Sequence, residues 1–466
     1  MMTQTKRAYV HQAFDDGKIC VFPTEVAARS YLVDYARWGK RQAILASQAI
    51  SFDTFREYFL PHHEERVPAN NLTRQLFIHQ LLEDGNLLNG FINPSFPEMT
   101  SRVKGYLAKL LPSLSQACEA TVIGKLEPVM QRDLLVLFSQ YQQFLEEHGL
   151  FEPRYEELSI PASWNIDGSY CILFSDTIPD AYGLYAQLGE PSFLELRPTP
   201  EEDSSVSLQV FPNHLVEIKH TLKQVRVLLD EGVETHQIVI GCTAEQTMME
   251  VLQQEAQFYG IPLSIREGKP VLAYGSGRFL SLMQTVYDEQ FSLESLKSLL
   301  LDPGIPWAER EKQRLFIKRA VQQSITHGSV YGEDQFSTLL KEEALQTWYK
   351  GFKQSVVAIV QASDIEDLRR KLNHFQDAYF ISTQWIGTPG EAVYSFCLDV
   401  MGQIKEAMER TSISSYPKIF SFLLSYLQTK RYVFQQKREG IAVYGWPQVA
   451  PLPADYLFII GLDQEG

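Results

Sequence analysis

Ser207-Leu208-Gln209-Val210-Phe211, Ile238-Val239-Ile240-Gly241 and Ile261-Pro262-Leu263-Ser264-Ile265 lie within one stretch, Val206–Gly277, and how that stretch is read decides the fold. The first run alternates apolar and polar residues as a short strand does, and Pro212-Asn213 ends it. Leu215, Ile218, Leu222, Val225, Leu228 and Leu229 then recur at helical spacing and make one apolar face, which Asp230-Glu231-Gly232 closes. The second run is continuously apolar, as expected of a parallel strand buried on both faces. Thr243 is placed to cap the next helix, with Gln246 as its capping-box partner. That helix carries Met248, Met249, Val251, Leu252 and Phe258, stops at Gly260, and hands over to the third run as another strand. Strands alternating with helices of this length predict a parallel sheet with right-handed crossovers.

Similar signals flank this stretch. Residues 1–18 read as a short helix or arm, Lys18-Ile19-Cys20-Val21-Phe22-Pro23 as a buried strand, and Thr24–Leu32 as the opening of a helix with Thr24 as its N-cap. A strand over Gln42–Ser47 and a helix from Ser51 follow. Thr73–Leu82, Met99–Leu111 and Glu127–His148 all have helical apolar spacing and form a helical block. Tyr170–Asp176 and Ser192–Leu196 return as strands, and Pro198–Ser205 reads as a linker. A second helical region runs from Phe291 to Phe434, after which Gly440–Tyr444 and Tyr456–Ile460 are again strand-like. The layout is sheet, helical insertion, sheet, helical insertion, sheet. The last strand stops at Gly461 with little after it to cover the sheet, so we expect a chain that is truncated relative to a longer protein.

The 466 residues suffice for several domains, and the 45% hydrophobic and 21% charged fractions are those of a soluble globular protein. No run reaches the ~20 apolar residues that span a bilayer, and the N-terminus lacks a signal-peptide core, so no membrane association and a cytoplasmic location are expected. Cys20, Cys118, Cys171, Cys242 and Cys397 are far apart with no CxxC, and read as buried thiols. The net charge of −15 argues against a surface coated by nucleic acid, but leaves room for a local basic channel.

This organisation is similar to that of UvrD-like superfamily 1 helicases. Val21-Phe22-Pro23-Thr24-Glu25-Val26-Ala27-Ala28-Arg29 resembles the segment after the first strand in one branch, the AddB/RexB/RecC-like subunits of bacterial double-strand-break repair helicase-nucleases. Leu137–Leu145 resembles the helix closing that branch's first insertion. Gly232–Ile240 with Tyr259-Gly260-Ile261-Pro262 resembles the start of its second motor domain. Phe291–Leu296 with Leu299-Leu300 is similar to the start of its second insertion, and Leu457–Gly466 resembles an apolar strand followed by G-L/M-x-E-G, carried here by Gly461, Leu462, Glu465 and Gly466.

The resemblance implies an α/β fold of two RecA-like parallel-sheet domains, each with a large helical insertion, an inactivated superfamily 1 helicase-like architecture. The expected division is 1–65 and 161–205 for the first RecA-like domain, the latter range including the linker, with 66–160 as its insertion. The second comprises 206–290 and 436–466, with 291–435 as its insertion.

Hydrolysis in this superfamily needs GxxxxGK[ST], whose backbone amides and Lys hold the phosphates while the hydroxyl holds Mg²⁺. No such motif occurs; Gly17-Lys18 and Gly39-Lys40 lack both the glycine loop and the hydroxyl. Asp176 falls at a degenerate Walker B position, where Thr177 replaces the catalytic acid, and reads first as a turn or cap. Asp180 with Glu195-Leu196-Arg197 mimics a PD-(D/E)XK spacing but has Arg for Lys. His62-His63-Glu64-Glu65 reads as a solvated loop rather than a metal site. The DNA-contact candidates are Arg29, the cluster Arg310, Lys312, Arg314, Lys318 and Arg319 around Phe316, and Lys430, Arg431, Lys437 and Arg438. A solvated helix face is the competing reading for each cluster.

No catalytic residue, resident metal or cofactor is expected in this segment. The resemblance implies a DNA-binding scaffold for single strands or duplex ends, paired with an AddA/RexA-like helicase-nuclease. It further implies a Mg²⁺-dependent PD-(D/E)XK exonuclease domain beyond residue 466. The alternative expectation is a protein-interaction scaffold of the same fold that binds no DNA; a nucleotide-binding enzyme, a third possibility, lacks any glycine-rich loop.

Overall fold

The computed structural model describes residues 2–38, 45–57, 60, 65–83, 88, 90–91, 97–156, 170–174, 194–196, 207–242, 246–266, 268–381, 385–411, 418–433 and 440–462. Its strands in chain order are β1 (Ile19–Phe22), β2 (Ala49–Ser51), β3 (Val67–Pro68), β4 (Leu150–Phe151), β5 (Tyr170–Leu173) and β6 (Leu194–Leu196). They continue with β7 (Ile238–Cys242), β8 (Leu263–Ile265), β9 (Lys269–Pro270), β10 (Arg431–Tyr432), β11 (Ile441–Gly445) and β12 (Tyr456–Ile460).

Two four-stranded sheets result, ordered β2-β1-β5-β6 and β12-β7-β11-β8, and every pairing in them is parallel. The fold is thus α/β with parallel sheets, and the continuous apolar runs are its central strands: Cys20, Val21 and Phe22 and all of Ile238–Cys242 are buried. In each sheet the chain leaves for its helical insertion after the second strand and returns on the third, which pairs with the first. Cys20 lies opposite Cys171 and Ile240 opposite Val443. The sheets are not copies of one another. In the first, the leading strand sits between the second and third strands; in the second, between the third and fourth.

By contacts the chain divides into two compact units. One comprises residues 1–62, 156–268 and 435–466, and so holds both sheets; the other comprises 63–155 and 269–434, and so holds both insertions. Each insertion is closed at its base by a pair of two-residue strands, parallel β3–β4 for the first and antiparallel β9–β10 for the second. The first insertion packs a core of its own around Phe77, Leu137, Tyr141 and Phe144, and the two insertions meet at one edge of it. Leu72 and Leu76 of the first join a cluster built mainly from the second, around Trp307, Phe279, Phe352, Phe375 and Phe380. His79 also meets Phe422 edge-on at 5.4 Å. The sequence boundary at 290 falls after the helix Gly275–Asp288, whereas the helical unit begins at Lys269 and takes Phe279, Leu280, Met283 and Val286 of that helix into its core.

In the sheet-bearing unit, the helices Met2–Asp15 (α1) and Glu25–Trp38 (α2) cover the first sheet through Val10, Phe14, Ala28, Tyr31 and Tyr35. The helices His214–Asp230 and Gln246–Phe258 cover one face of the second through Ile218, Leu222, Val225, Leu252 and Ala256.

Two expected strands are corrected. Ser207–Phe211 forms no strand; it has no ladder partner among the described residues, and Leu208 and Val210 stand 82% and 94% exposed. Alternation alone cannot supply the neighbouring strand that a ladder needs. The strand expected over Gln42–Ser47 is Ala49–Ser51 instead, preceded by a 3₁₀ turn at Ala46–Gln48, with 42–44 outside the described residues. The Pro198–Ser205 linker and the Thr243 cap also lie outside them. Cys20, Cys171, Cys242 and Cys397 are buried thiols and Cys118 is half-buried. Burial pushes Cys397 up to about 12, which keeps it a neutral thiol at physiological pH.

Candidate functional site

The position with most to say about function is the turn between β1 and α2, where a P-loop protein holds its phosphates. Here only Pro23 and Thr24 separate the strand from the helix. A phosphate loop must leave several backbone amides free and needs glycines to curl around the anion. Instead, Thr24 Oγ1 accepts from the Ala27 N–H at 3.2 Å, an N-cap that occupies one of the amides an anion would use. Glu25 follows in the first helical turn and places a carboxylate at the helix's positive end. Arg29, a candidate DNA contact, is an exposed residue of α2 that donates to Glu25 Oε1 at 2.8 Å.

The same turn is engaged by the second sheet. Val239, Tyr444, Val449, Leu452 and Ala454 form an apolar cluster on that sheet and on the helix Trp446–Val449 with the loop after it, and Val26 of α2 packs against this cluster. Gly241 in β7 gives the helix room, since a Cβ there would meet Val449 at 3.0 Å. Beside this seam, Arg7 of α1 is 5% exposed. Its Nε lies 2.9 Å from Asp34 Oδ2, and its Nη1 donates to Asp455 Oδ1 at 2.7 Å. Asp34 is also 3.0 Å from His11 Nε2. Asp455 accepts from Gln237 Nε2 at 2.9 Å and gives its own N–H to the Gln237 carbonyl at 3.0 Å, which ties it to the start of β7. Arg7, Asp34, Asp455 and Val26 as a seam residue were absent from the sequence reading. No periodicity links positions 448 apart.

The basic candidates of the second insertion gather on the helix Arg310–Gln322, but not as an open patch. Arg310 Nη2 donates to the carbonyls of Pro303 and Ile305 and so staples its own loop. Lys312 pairs with Glu309 at 2.7 Å, Arg314 with Glu311 at 3.2 Å, and Arg319 with Glu342 at 2.9 Å. Lys318 is exposed and unpaired among the described residues. Phe316, expected to interleave with these cations for base stacking, is a core residue stacked on Tyr349 at 5.3 Å and fully buried. Lys430 and Arg431 lie at the base of the second insertion. The Lys430 carbonyl accepts from the Val271 N–H at 3.0 Å, its Nζ sits 4.3 Å over the Tyr426 ring, and Arg431 pairs with Pro270 in β10–β9.

At the C-terminal end of β12, Gly461 adopts a left-handed φ of 75° that a side chain would strain. Its N–H donates to Glu217 Oε1 at 2.9 Å, and Leu462 is exposed. Asp176, Asp180, the His62–Glu65 run apart from Glu65, Lys437, Arg438, Glu465 and Gly466 lie outside the described residues, as does the Glu195 side chain. Among the described residues no cluster of His, Cys, Asp and Glu is arranged to hold a metal, and no helix is long and apolar enough to cross a membrane.

Comparison with known proteins sets these observations in context. Residues 7–196 match a family described as the Treponema TP0900 N-terminal P-loop domain, and residues 272–433 one described as the Treponema TP0900 fourth helical domain. The first match spans the first sheet with its insertion, and the second nearly the whole of the other insertion. An uncharacterized protein of Treponema pallidum (strain Nichols) is 21% identical over 96% of this chain. The chain spans 64% of that relative's length. The chain is therefore similar to a P-loop domain in its first part while lacking a glycine-rich phosphate loop between β1 and α2.

Proposed function

We propose that this chain is a helicase-like scaffold that does not hydrolyse nucleotide, an AddB/RexB-like subunit acting on DNA in double-strand-break repair. The observation that carries the reading is the capped, two-residue turn after β1, set in parallel sheets that each send out a helical insertion after their second strand. A motor retaining this layout but not its phosphate cradle keeps shape and loses the power stroke. In this reading the sheets are RecA-like domains and the insertions guide DNA. An AddA/RexA-like partner supplies translocation, and Mg²⁺-dependent PD-(D/E)XK exonuclease chemistry belongs to sequence beyond residue 466.

A second reading, a scaffold that binds protein alone, is favoured by the local neutralisation of Lys312, Arg314 and Arg319 and by the burial of Phe316. One experiment separates the two. Binding of a fluorescent single-stranded oligonucleotide is measured by anisotropy at 50 and 200 mM salt, alongside thermal melting with ATP and Mg²⁺. We expect affinity that falls steeply with salt, a further loss of about tenfold in Arg314→Glu/Lys318→Glu, and no change in Tm with nucleotide. Absence of DNA binding at low salt selects the protein-only scaffold, and a rise in Tm with ATP–Mg²⁺ overturns the inactive-motor reading.

A further inference from the structure

The two α/β parts of a working motor must open and close on each other, and the seam between them must therefore be wet, polar and breakable. The seam here combines an apolar contact with a buried, multiply held ion network. Val26, at the start of the helix that would cap a phosphate, packs against the apolar cluster of Val449, Leu452 and Ala454. Arg7, from the helix before β1, is buried between Asp34 of its own sheet layer and Asp455 at the start of β12. Each of the three charged groups is held by more than one partner. His11 also reaches Asp34, and Gln237 binds Asp455 through both side chain and backbone.

We propose that this arrangement is a permanent latch: the two sheets form one rigid body, held closed by Arg7 between Asp34 and Asp455 and by the apolar seam at Val26, whether or not nucleotide is present. Opening parts Asp455 from the Arg7 guanidinium, which keeps Asp34, and breaks a buried charge-assisted hydrogen bond without a preformed replacement, so opening is opposed. The apolar half of the seam adds a cost of exposing Val449 and Leu452 to water. The latch explains why the chain tolerates a closed phosphate turn. With the sheets fixed, nucleotide has neither a cradle to bind in nor a movement to drive. The inference rests on the packing of the two sheets and is independent of whether the insertions bind DNA.

The test is a distance measurement across the seam. Spin labels are placed at Val33→Cys on α2 and Phe258→Cys on the helix Gln246–Phe258, both exposed positions, in a Cys118→Ser background. Pulsed dipolar spectroscopy should give one narrow distance distribution, unchanged by ATP–Mg²⁺. Arg7→Met should at least double its width. Asp455→Asn, which keeps size and shape, should do the same and speed amide exchange over residues 446–455 at least tenfold. A broad or two-peaked distribution in the otherwise unaltered chain overturns the latch by itself and leaves the scaffold reading standing. Unchanged widths in folded Arg7→Met or Asp455→Asn overturn it as well. A shift on adding nucleotide overturns both the latch and the inactive-motor reading.

Discussion

Arg74 lies at the base of the first insertion and reaches across it. Its guanidinium donates to both oxygens of Glu152, at 2.8 and 2.7 Å, and its Nη2 to the Ala69 carbonyl at 3.1 Å. Glu152 is 1% exposed and accepts a third bond from the Tyr141 hydroxyl at 2.8 Å. Burial, joined by this charge, pushes the Tyr141 phenol well above its ordinary range, so it stays a donor at any physiological pH. The network locks β3 to β4 where the insertion leaves and returns. Removing the cation strands a carboxylate in the interior, so Arg74→Met should destabilise by about 3 kcal/mol, near the lower end of the range for broken buried pairs. Urea unfolding followed by circular dichroism checks it, and a loss under ~1 kcal/mol would mean that water replaces the guanidinium. Single residues were the least legible level of the sequence. Thr24 as a cap could be read, because a cap is a local signal. Arg7–Asp455 and Arg74–Glu152 could not, because long-range pairs leave no mark on spacing. The cations that could be seen, from Arg310 to Arg319, were read without the nearby acids, Glu309, Glu311 and Glu342, that neutralise most of them.

Elements were read better where burial, rather than pattern alone, fixed them. Ile238–Cys242 matches the expected run within one residue because it is buried throughout between β12 and β11. Tyr456–Ile460, a strand over the expected residues, is instead the terminal strand of the described sheet, held by its ladder with β7 while Tyr456, Leu457 and Ile459 stay exposed. Ser207–Phe211 failed for the complementary reason: its alternation needs a partner edge to become a ladder. Helix ends depend on local groups, and one can be titrated. In the helix Ile365–Tyr379, the N-cap Asp364 accepts the Asp367 N–H at 2.8 Å while Asp367 Oδ2 accepts the N–H of the preceding Ser363 at 3.2 Å, so both carboxylates hold the helix start. The ion-paired hydrogen bond from Lys371, with help from the Ser363 amide and Arg370, pushes Asp367 down to about 2. A carboxylate whose folded value lies below its ordinary 3.8 contributes stability that is complete above that value and fades as pH falls toward 2. Asp367→Asn should therefore lower Tm at pH 7, and the gap to the unaltered chain should narrow between pH 4 and pH 2. A gap that stays constant across that range would show that the helix start does not depend on the charge.

At the scale of the whole chain, the alternation of sheet and insertion was legible, because it is written in the switch between continuous apolar runs and helical spacing. What could not be read is that both sheets belong to one compact unit and both insertions to the other, so that the divisions in sequence and in space differ. The insertion helices carry apolar faces, but the sequence does not say which apolar face meets which. The packing of Leu72 and Leu76 into the core of the second insertion reveals where the two meet. Two units with separate cores should unfold with separate thermodynamics, since cooperativity follows the contiguous core rather than the order of the chain. Scanning calorimetry is expected to resolve two transitions. Arg7→Met, in the sheet-bearing unit, should lower one of them, and Arg74→Met, in the helical unit, the other, each by several degrees and with the second transition moved much less. Because the chain passes between the units at 62/63, 155/156, 268/269 and 434/435, some coupling is built in. The discriminating quantity is therefore the difference between the two shifts in each variant. Equal shifts of both transitions, or a single transition whose calorimetric and van't Hoff enthalpies agree, would make the chain one cooperative body and remove the basis for treating the sheets and the insertions as separable parts.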